Sequence, residues 1–152
     1  MTFEQHIDRL EKFLKDKCKI VRENKNSFFA VSDGHEFHSP IYICDQGGTI
    51  HVGIGDTYDY FDKPKEQLDK AVLRFLTLLT CKIERTDYFK GNNLYKSTFI
   101  LPDNKTDSYN QASYRFPFPF WKKTKTNKII QLPIITASDI ETHFGDLTKG
   151  NA

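Results

Sequence analysis

CKIERTDYFKGNNLYKSTFIL (residues 81–101) gives the clearest indication of the architecture. Two runs rich in β-branched and aromatic residues, 81–89 and 94–101, flank a Lys-Gly-Asn-Asn turn, which is typical of a β-hairpin. After this hairpin the polar residues 103–113 are predicted to form a loop. Residues 128–135 are predicted to form a short strand at a sheet edge, where Pro is tolerated.

Two further hairpins are predicted before this one. Residues 18–22 and 27–31 flank an Asn-Lys-Asn turn, and residues 41–44 and 49–54 flank Asp-Gln-Gly-Gly. In residues 49–54 the apolar Ile, Val and Ile alternate with Thr, His and Gly. This period of two indicates a strand with one buried face and one polar face.

Three helices are predicted from apolar spacing and capping signals. Residues 2–17 and 63–80 repeat apolar side chains at spacings of three and four, which places them on one face of each helix. Thr2 and Gln5 have the spacing of a capping box. Residues 138–145 repeat this spacing at their start, so a short helix is expected to run to about Phe144 and stop at Gly145.

The predicted fold class is therefore α+β, a mainly antiparallel sheet of hairpins packed against an N-terminal and a central amphipathic helix. With 152 residues, the chain is long enough to bury about two-thirds of its unfolded surface without a metal or a disulfide. We predict a single domain over residues 1–147 and a disordered tail over residues 148–152.

The cysteines and the N-terminus indicate a cytoplasmic protein. Cys18, Cys44 and Cys81 are an odd number at wide spacing, and we expect them to be reduced thiols that pack as small hydrophobic groups. The first residues interleave acids and bases and do not form a signal peptide. No apolar run approaches about 18 residues, so no membrane partner is expected.

Charge is segregated along the chain, although the formal net charge is only +2. Residues 26–62 contain no Lys or Arg, and residues 108–138 contain no Asp or Glu. The carboxylates of the first block are Asp33, Glu36, Asp45, Asp56, Asp59 and Asp62. The bases of the second are Arg115, Lys122, Lys123, Lys125 and Lys128. Such patterns bear on partners and on encounter rates rather than on fold.

Residues 53–62 place three aspartates and two tyrosines between a predicted strand and the central helix. We interpret them as a recognition loop, because Tyr offers a large contact area at low entropic cost and Asp offers charge. A solvated loop in which Asp62 caps the helix, or a divalent-cation site, are the alternatives. The predicted partner-binding residues are Asp33, Glu36, His38, Asp56, Tyr58, Asp59, Tyr60 and Asp62.

The sequence gives little support for catalysis. It has no phosphate-binding loop, no dinucleotide fingerprint and no nucleophile elbow. The alternative enzymatic reading is a small metal-dependent hydrolase using His35, His38, His51 and Asp56, although the histidine spacing differs from that of zincins. We therefore predict that the protein is not an enzyme and that it has no catalytic residue, no metal ligand and no cofactor.

Residues 115–128 combine four large aromatic residues with the basic block. One interpretation is a proline-kinked apolar lid over the core, followed by a basic loop. The other is a nucleic-acid module, in which Trp121 stacks on bases and the following lysines bind phosphates. A nucleic-acid partner is the less favoured alternative, because acids elsewhere in the chain offset these bases.

The stretch from His51 to Gly91 resembles small bacterial immunity proteins, which neutralise polymorphic or contact-dependent toxins. The matching features are Gly55-Asp56, Phe61-Asp62 leading into an amphipathic helix through Leu79, and the turn at residues 88–91. The resemblance implies a small, cytoplasmic, non-enzymatic protein with an acidic face. Many of the toxins that such proteins block are basic nucleases.

The resemblance and the charge pattern together predict a cytoplasmic immunity protein, similar to an antitoxin, that binds a cognate basic toxin. A carboxylate-rich surface can occupy a site built for phosphates and can speed association by long-range attraction. The predicted mechanism is steric and electrostatic occlusion of the toxin.

Overall fold

The computed structural model describes residues 1–25, 27–32, 40–55, 57–62, 65–102, 108–116 and 118–149. These ranges contain three helices and nine strands, in the order α1 (Phe3–Leu14), β1 (Lys19–Glu23), β2 (Phe28–Ser32), β3 (Ile41–Asp45), β4 (Thr49–Ile54), β5 (Thr57–Asp62), α2 (Lys65–Thr80), β6 (Ile83–Lys90), β7 (Asn93–Pro102), β8 (Ser108–Tyr114), β9 (Thr124–Gln131) and α3 (Ala137–Lys149). None of the helices in these ranges is both long and apolar enough to cross a bilayer.

The chain forms two compact units, one of residues 1–80 with 134–152 and one of residues 81–133. The first contains a sheet in the order β1-β2-β3-β4-β5, and the second a sheet in the order β8-β7-β6-β9. All strand pairs in both sheets are antiparallel. The α+β class and its antiparallel hairpins are confirmed, whereas the single-domain boundary at residue 147 and the tail beyond it stay predictions.

Helix α1 begins with the predicted capping box. The backbone N–H of Thr2 donates to Gln5 Oε1 at 2.7 Å, and the backbone N–H of Gln5 donates to Thr2 Oγ1 at 3.3 Å. Arg22 of β1 binds α1 through Asp8, at 2.6 Å, and through Glu11. The fully buried apolar side chains of α1 are Ile7, Leu10 and Leu14. These contacts hold α1 against the sheet.

Helix α2 packs against β3, β4 and β5. Its predicted core-facing side chains, Leu68, Val72, Phe75, Leu76 and Leu79, are all buried. They meet the inward side chains of the sheet, and the Phe75 ring lies edge-on to Phe29 of β2 at 5.9 Å. Because burial of apolar surface is the main favourable term in folding, this layer is the core of the first unit.

Helix α3 differs from the prediction at both ends. Its cap is formed by Thr136 and Asp139, whose backbone N–H groups and side-chain oxygens bond reciprocally, rather than by the predicted residues 138 and 141. The backbone leaves helical geometry at Phe144, with φ −134° and ψ 19°, but helical structure resumes and continues to Lys149. Phe144 is fully buried and contacts the ring of Phe13 at 5.3 Å.

The second unit contains strand structure that the apolar pattern missed. Strand β8 spans residues 108–114, although residues 103–113 were predicted to form a loop, and β9 starts at Thr124 rather than at residue 128. Both are edge strands. An edge strand need not have a regular apolar alternation, because one of its neighbours is solvent, so periodicity is a weak signal there.

A buried polar cluster lies between β6 and β7. Arg85 Nε donates to Asp87 Oδ1 at 2.6 Å, and Ser97 Oγ donates to the same oxygen at 2.7 Å. The Arg85 and Asp87 side chains are each 5% exposed. Side chains two residues apart on a strand point to the same face, so the strand conformation of β6 places Arg85 beside Asp87.

We expect Asp87→Leu to lower the free energy of unfolding by about 3–5 kcal/mol, because it deprives the buried Arg85 guanidinium of this carboxylate. The double variant Arg85→Met, Asp87→Leu is expected to be clearly more stable than Asp87→Leu alone, since it buries no unmatched charge. Urea unfolding followed by circular dichroism measures both. Equal losses in the two variants would contradict the role assigned to the pair.

His6 of α1 is a buried titratable group. Its side chain is fully buried, and its Nε2 lies 3.1 Å from Oδ1 of Asp69 in α2. Neither ring nitrogen makes a hydrogen bond of regular geometry within the described ranges. Burial lowers the pKa of His6, and this effect outweighs the opposing attraction of Asp69; the N-terminus and Arg9 lower it further.

A lowered pKa means that the unfolded chain binds a proton at His6 more readily than the folded one does. The free energy of unfolding should therefore fall as the pH drops below about 6.5, and His6→Gln should weaken this dependence. Urea unfolding at about pH 7.5 and about pH 5.5 measures the change. His143→Gln, at an exposed histidine, is the matched control, and an unaltered pH dependence in His6→Gln would contradict the assignment.

Candidate functional site

Residues 57–62 form the edge strand β5 rather than part of the predicted loop. β5 pairs with β4 in an antiparallel register that joins Ile54 to Thr57. Gly55 has φ +58°, a conformation that glycine adopts without the steric cost of a side chain. The Gly-Asp pair followed by Thr-Tyr-Asp-Tyr-Phe was the available signal for a hairpin.

The alternation of β5 separates its side chains onto two faces. Tyr58, Tyr60 and Asp62 are exposed, whereas Asp59 and Phe61 are half-buried. Asp59 Oδ2 accepts a hydrogen bond from Arg74 Nε of α2 at 3.1 Å, which places Asp59 on the helix-facing side. Asp62 is the last residue of β5, and α2 begins at Lys65 rather than at residue 63.

The predicted site is therefore only partly assembled among the described residues. Tyr58, Tyr60 and Asp62 share the outward face, and Asp59 lies on the opposite one. Asp33, Glu36, His38 and Asp56 of the predicted site, and His35 of the metal alternative, lie outside the described residues.

The outward face of the sheet carries aromatic pairs that sequence reasoning missed. The His51 and Tyr58 rings stack at 4.4 Å with an interplanar angle of 7°, and the Phe28 and Tyr42 rings at 5.8 Å with 24°. Strand pairing brings each pair together, because Tyr58 lies two residues from Tyr60, the residue opposite His51. Tyr42 likewise lies two residues from Cys44, the residue opposite Phe28. The alternation of residues 49–54 predicted that His51 lies on the polar face of its strand. It did not predict the ring that His51 stacks on, because that depends on the register between strands.

A cleft of about 490 Å³ lies on this outward face. Gly53 separates Tyr42 from Tyr58 in the register and has no side chain, so space remains between the two rings. The cleft residues are Phe28, Pro40, Tyr42, Cys44, Gln46, His51, Gly55 and Tyr58. Among the described residues its lining is mostly apolar and aromatic, which suits a planar or apolar group.

Two polar side chains of the cleft, Gln46 and His51, have side-chain hydrogen-bond partners. Gln46 Nε2 donates to Cys44 Sγ at 3.4 Å, and His51 Nε2 lies 3.1 Å from Thr49 Oγ1. Within the described parts of the chain, no cluster of three or more His, Cys, Asp or Glu side chains could hold a metal.

The segment after Arg115 is not a lid over the core. Phe116, Phe118, Phe120 and Trp121 are 76%, 50%, 68% and 64% exposed. The interpretation as an apolar lid is therefore wrong, because a covering segment would bury these rings.

Comparison of the chain with protein-family models, with curated proteins and with solved structures finds no match.

Cys18 is expected to be a poor nucleophile. Burial raises the pKa of its thiol to about 11, and the thiol donates to the carbonyl of Leu14. About one thiol in a thousand is then ionised at pH 8, so alkylation by iodoacetamide should be about a hundredfold slower than for an unhindered thiol. Peptide mass mapping after cleavage at glutamate measures the rate. The same reaction in urea is the control, and a fast reaction in the folded protein would contradict the assignment.

Proposed function

We propose that this chain is a cytoplasmic immunity protein that binds a cognate basic toxin and blocks it by steric and electrostatic occlusion, without turnover. The observation that carries this proposal is the outward face of β5. Tyr58 and Tyr60 are 47% and 71% exposed there, beside the exposed carboxylate of Asp62. Exposed tyrosines on a rigid strand are typical anchors of protein interfaces, because ordering them on binding costs little entropy.

The charge of the first unit supports a basic partner. Residues 1–80 and 134–152 contain 16 Asp and Glu against 12 Lys and Arg, a net charge of −4. Several of these acids already form ion pairs within the unit, as Asp8 and Asp59 do. The unit as a whole still attracts a basic protein at long range, which raises the association rate at low salt.

The position of β5 at the sheet edge supports the same surface. Within the described strands, β5 pairs with β4 on one side and with no strand on the other. An edge of this kind offers backbone N–H and C=O groups to a partner, while side chains on alternate positions provide specificity. The resemblance of residues 51–91 to immunity proteins, which includes β5, agrees with this assignment.

The proposal predicts a partner that is toxic by itself. Affinity purification of the tagged chain from its native cells should recover one tightly bound protein of basic charge. Producing that protein alone in a test host should arrest growth, and co-production of this chain should restore it. Recovery of no protein, or of one that leaves growth unaffected, would contradict the proposal.

The variant Tyr60→Ser, Asp62→Lys should weaken binding of that toxin by about thirtyfold or more, because it removes an aromatic anchor and reverses a charge. It should also reduce the salt dependence of binding and leave unfolding by urea nearly unchanged, since both side chains are exposed. Calorimetric titration at two salt concentrations measures the effect.

The matched control is Val21→Ser, Glu23→Lys on β1, which makes the same kinds of change at exposed residues of the opposite sheet edge. This control should bind like the unmodified protein. Equal effects of the two variants would remove β5 from the interface.

A further inference from the structure

The second unit carries an exposed cluster that the proposed toxin-binding surface does not use. We call Phe116, Phe118, Phe120 and Trp121 the aromatic turn; all four rings are at least half exposed. Large apolar side chains grouped on a surface mark an interaction site more often than singly scattered ones do.

Hydrogen bonds hold the main chain of the aromatic turn against the β6–β7 hairpin. Asn93 Nδ2 donates to the carbonyl of Phe118 at 2.8 Å, and Lys90 Nζ donates to the carbonyl of Lys122 at 3.1 Å. The backbone N–H of Lys122 donates to the carbonyl of Pro119 at 3.1 Å, which closes the turn. The rings are thus exposed on an anchored backbone.

The charge around the aromatic turn is positive. Residues 81–133 contain ten Lys and Arg against four Asp and Glu, a net charge of +6, and residues 108–138 contain no acid. Lys122, Lys123 and Lys125 follow the aromatic turn directly and are exposed. A partner of this surface must therefore combine negative charge with a region that accepts apolar rings.

We propose that the aromatic turn adsorbs to the surface of an anionic lipid bilayer, with its rings at the boundary between headgroups and acyl chains and its lysines on the lipid phosphates. Trp and Phe next to Lys are the residues that such a boundary accommodates. Adsorption of this kind needs no membrane-spanning segment, so it is compatible with helices that cannot cross a bilayer. The inference is independent of the proposed toxin binding.

The packing of the rings favours a bilayer over a nucleic acid. Trp121 contacts Phe118 at 5.4 Å and 87°, and Phe120 at 5.2 Å and 86°. In edge-to-face pairs of this kind one ring covers part of a face of the other. Stacking of successive bases requires open ring faces, whereas insertion among acyl chains requires only apolar area.

The test uses Trp121, which is the only tryptophan of the chain, so its fluorescence reports on the aromatic turn alone. The full-length protein is titrated with vesicles of phosphatidylcholine alone and of an equal mixture of phosphatidylcholine and phosphatidylglycerol. We expect the emission to shift to shorter wavelength and the protein to co-sediment with the mixed vesicles, with much weaker effects on the neutral ones.

Two variants separate the apolar and the charged contributions, and both keep the reporter. Phe116→Ser, Phe120→Ser should weaken vesicle binding by about tenfold or more, through loss of inserted apolar area. Lys123→Glu, Lys125→Glu should weaken it by at least about fivefold per lysine and reduce its salt dependence.

The matched controls change exposed residues elsewhere. Ile130→Ser, Leu132→Ser removes apolar side chains further along the chain, and Lys19→Glu, Lys70→Glu reverses two charges in the first unit. Both should bind vesicles like the unmodified protein. Absence of binding to the mixed vesicles, or equal losses in controls and variants, would overturn the proposal. Quenching of Trp121 by single-stranded oligonucleotides without vesicle binding would overturn it in favour of a nucleic acid.

Discussion

In the five-stranded sheet, the antiparallel register between β4 and β5 decides which side chains of the edge strand face α2 and which face outward. With Val52 opposite Asp59, the Asp59 carboxylate reaches Arg74, and Tyr58 and Tyr60 lie on the other face. A slip by one residue would place both tyrosines against the helix and Asp59 outside. The buried apolar side chains of β4 stabilise the observed register, because they pack into the core only on the face of the sheet that is covered by α2.

The cleft is a further consequence of this register. Gly53 lies between Tyr42 and Tyr58 across three strands, and Tyr58 stacks on His51. The two ring pairs belong to four different strands, so local sequence does not bring them together. The outward face is thus a product of long-range strand pairing, whereas the acidic character of the first unit is a property of composition.

Much of the architecture follows from sequence because its signals are local. The capping box at Thr2 and the apolar spacing of α2 require no knowledge of distant residues, and both predictions are confirmed. The edge strand β8 was missed because its mixed polar and apolar residues give no regular alternation, and β5 was missed because its aspartates and tyrosines were interpreted as a recognition loop. Of the predicted binding residues, Tyr58 and Tyr60 have the exposure that an interface requires. The register with β4 places Asp59 on the other face, where it binds Arg74, fifteen positions further along the chain.

If a partner binds the outward face of β5, contact with the partner should alternate along the strand. This alternation can be measured directly. A photo-crosslinking amino acid is placed at each of positions 58–62 in turn, and the chain is irradiated in its native cells. We expect adducts with the same toxin at positions 58, 60 and 62, and weak or no adducts at positions 59 and 61. Adducts of equal yield at all five positions, or at none of them while the toxin still co-purifies with the chain, would contradict it.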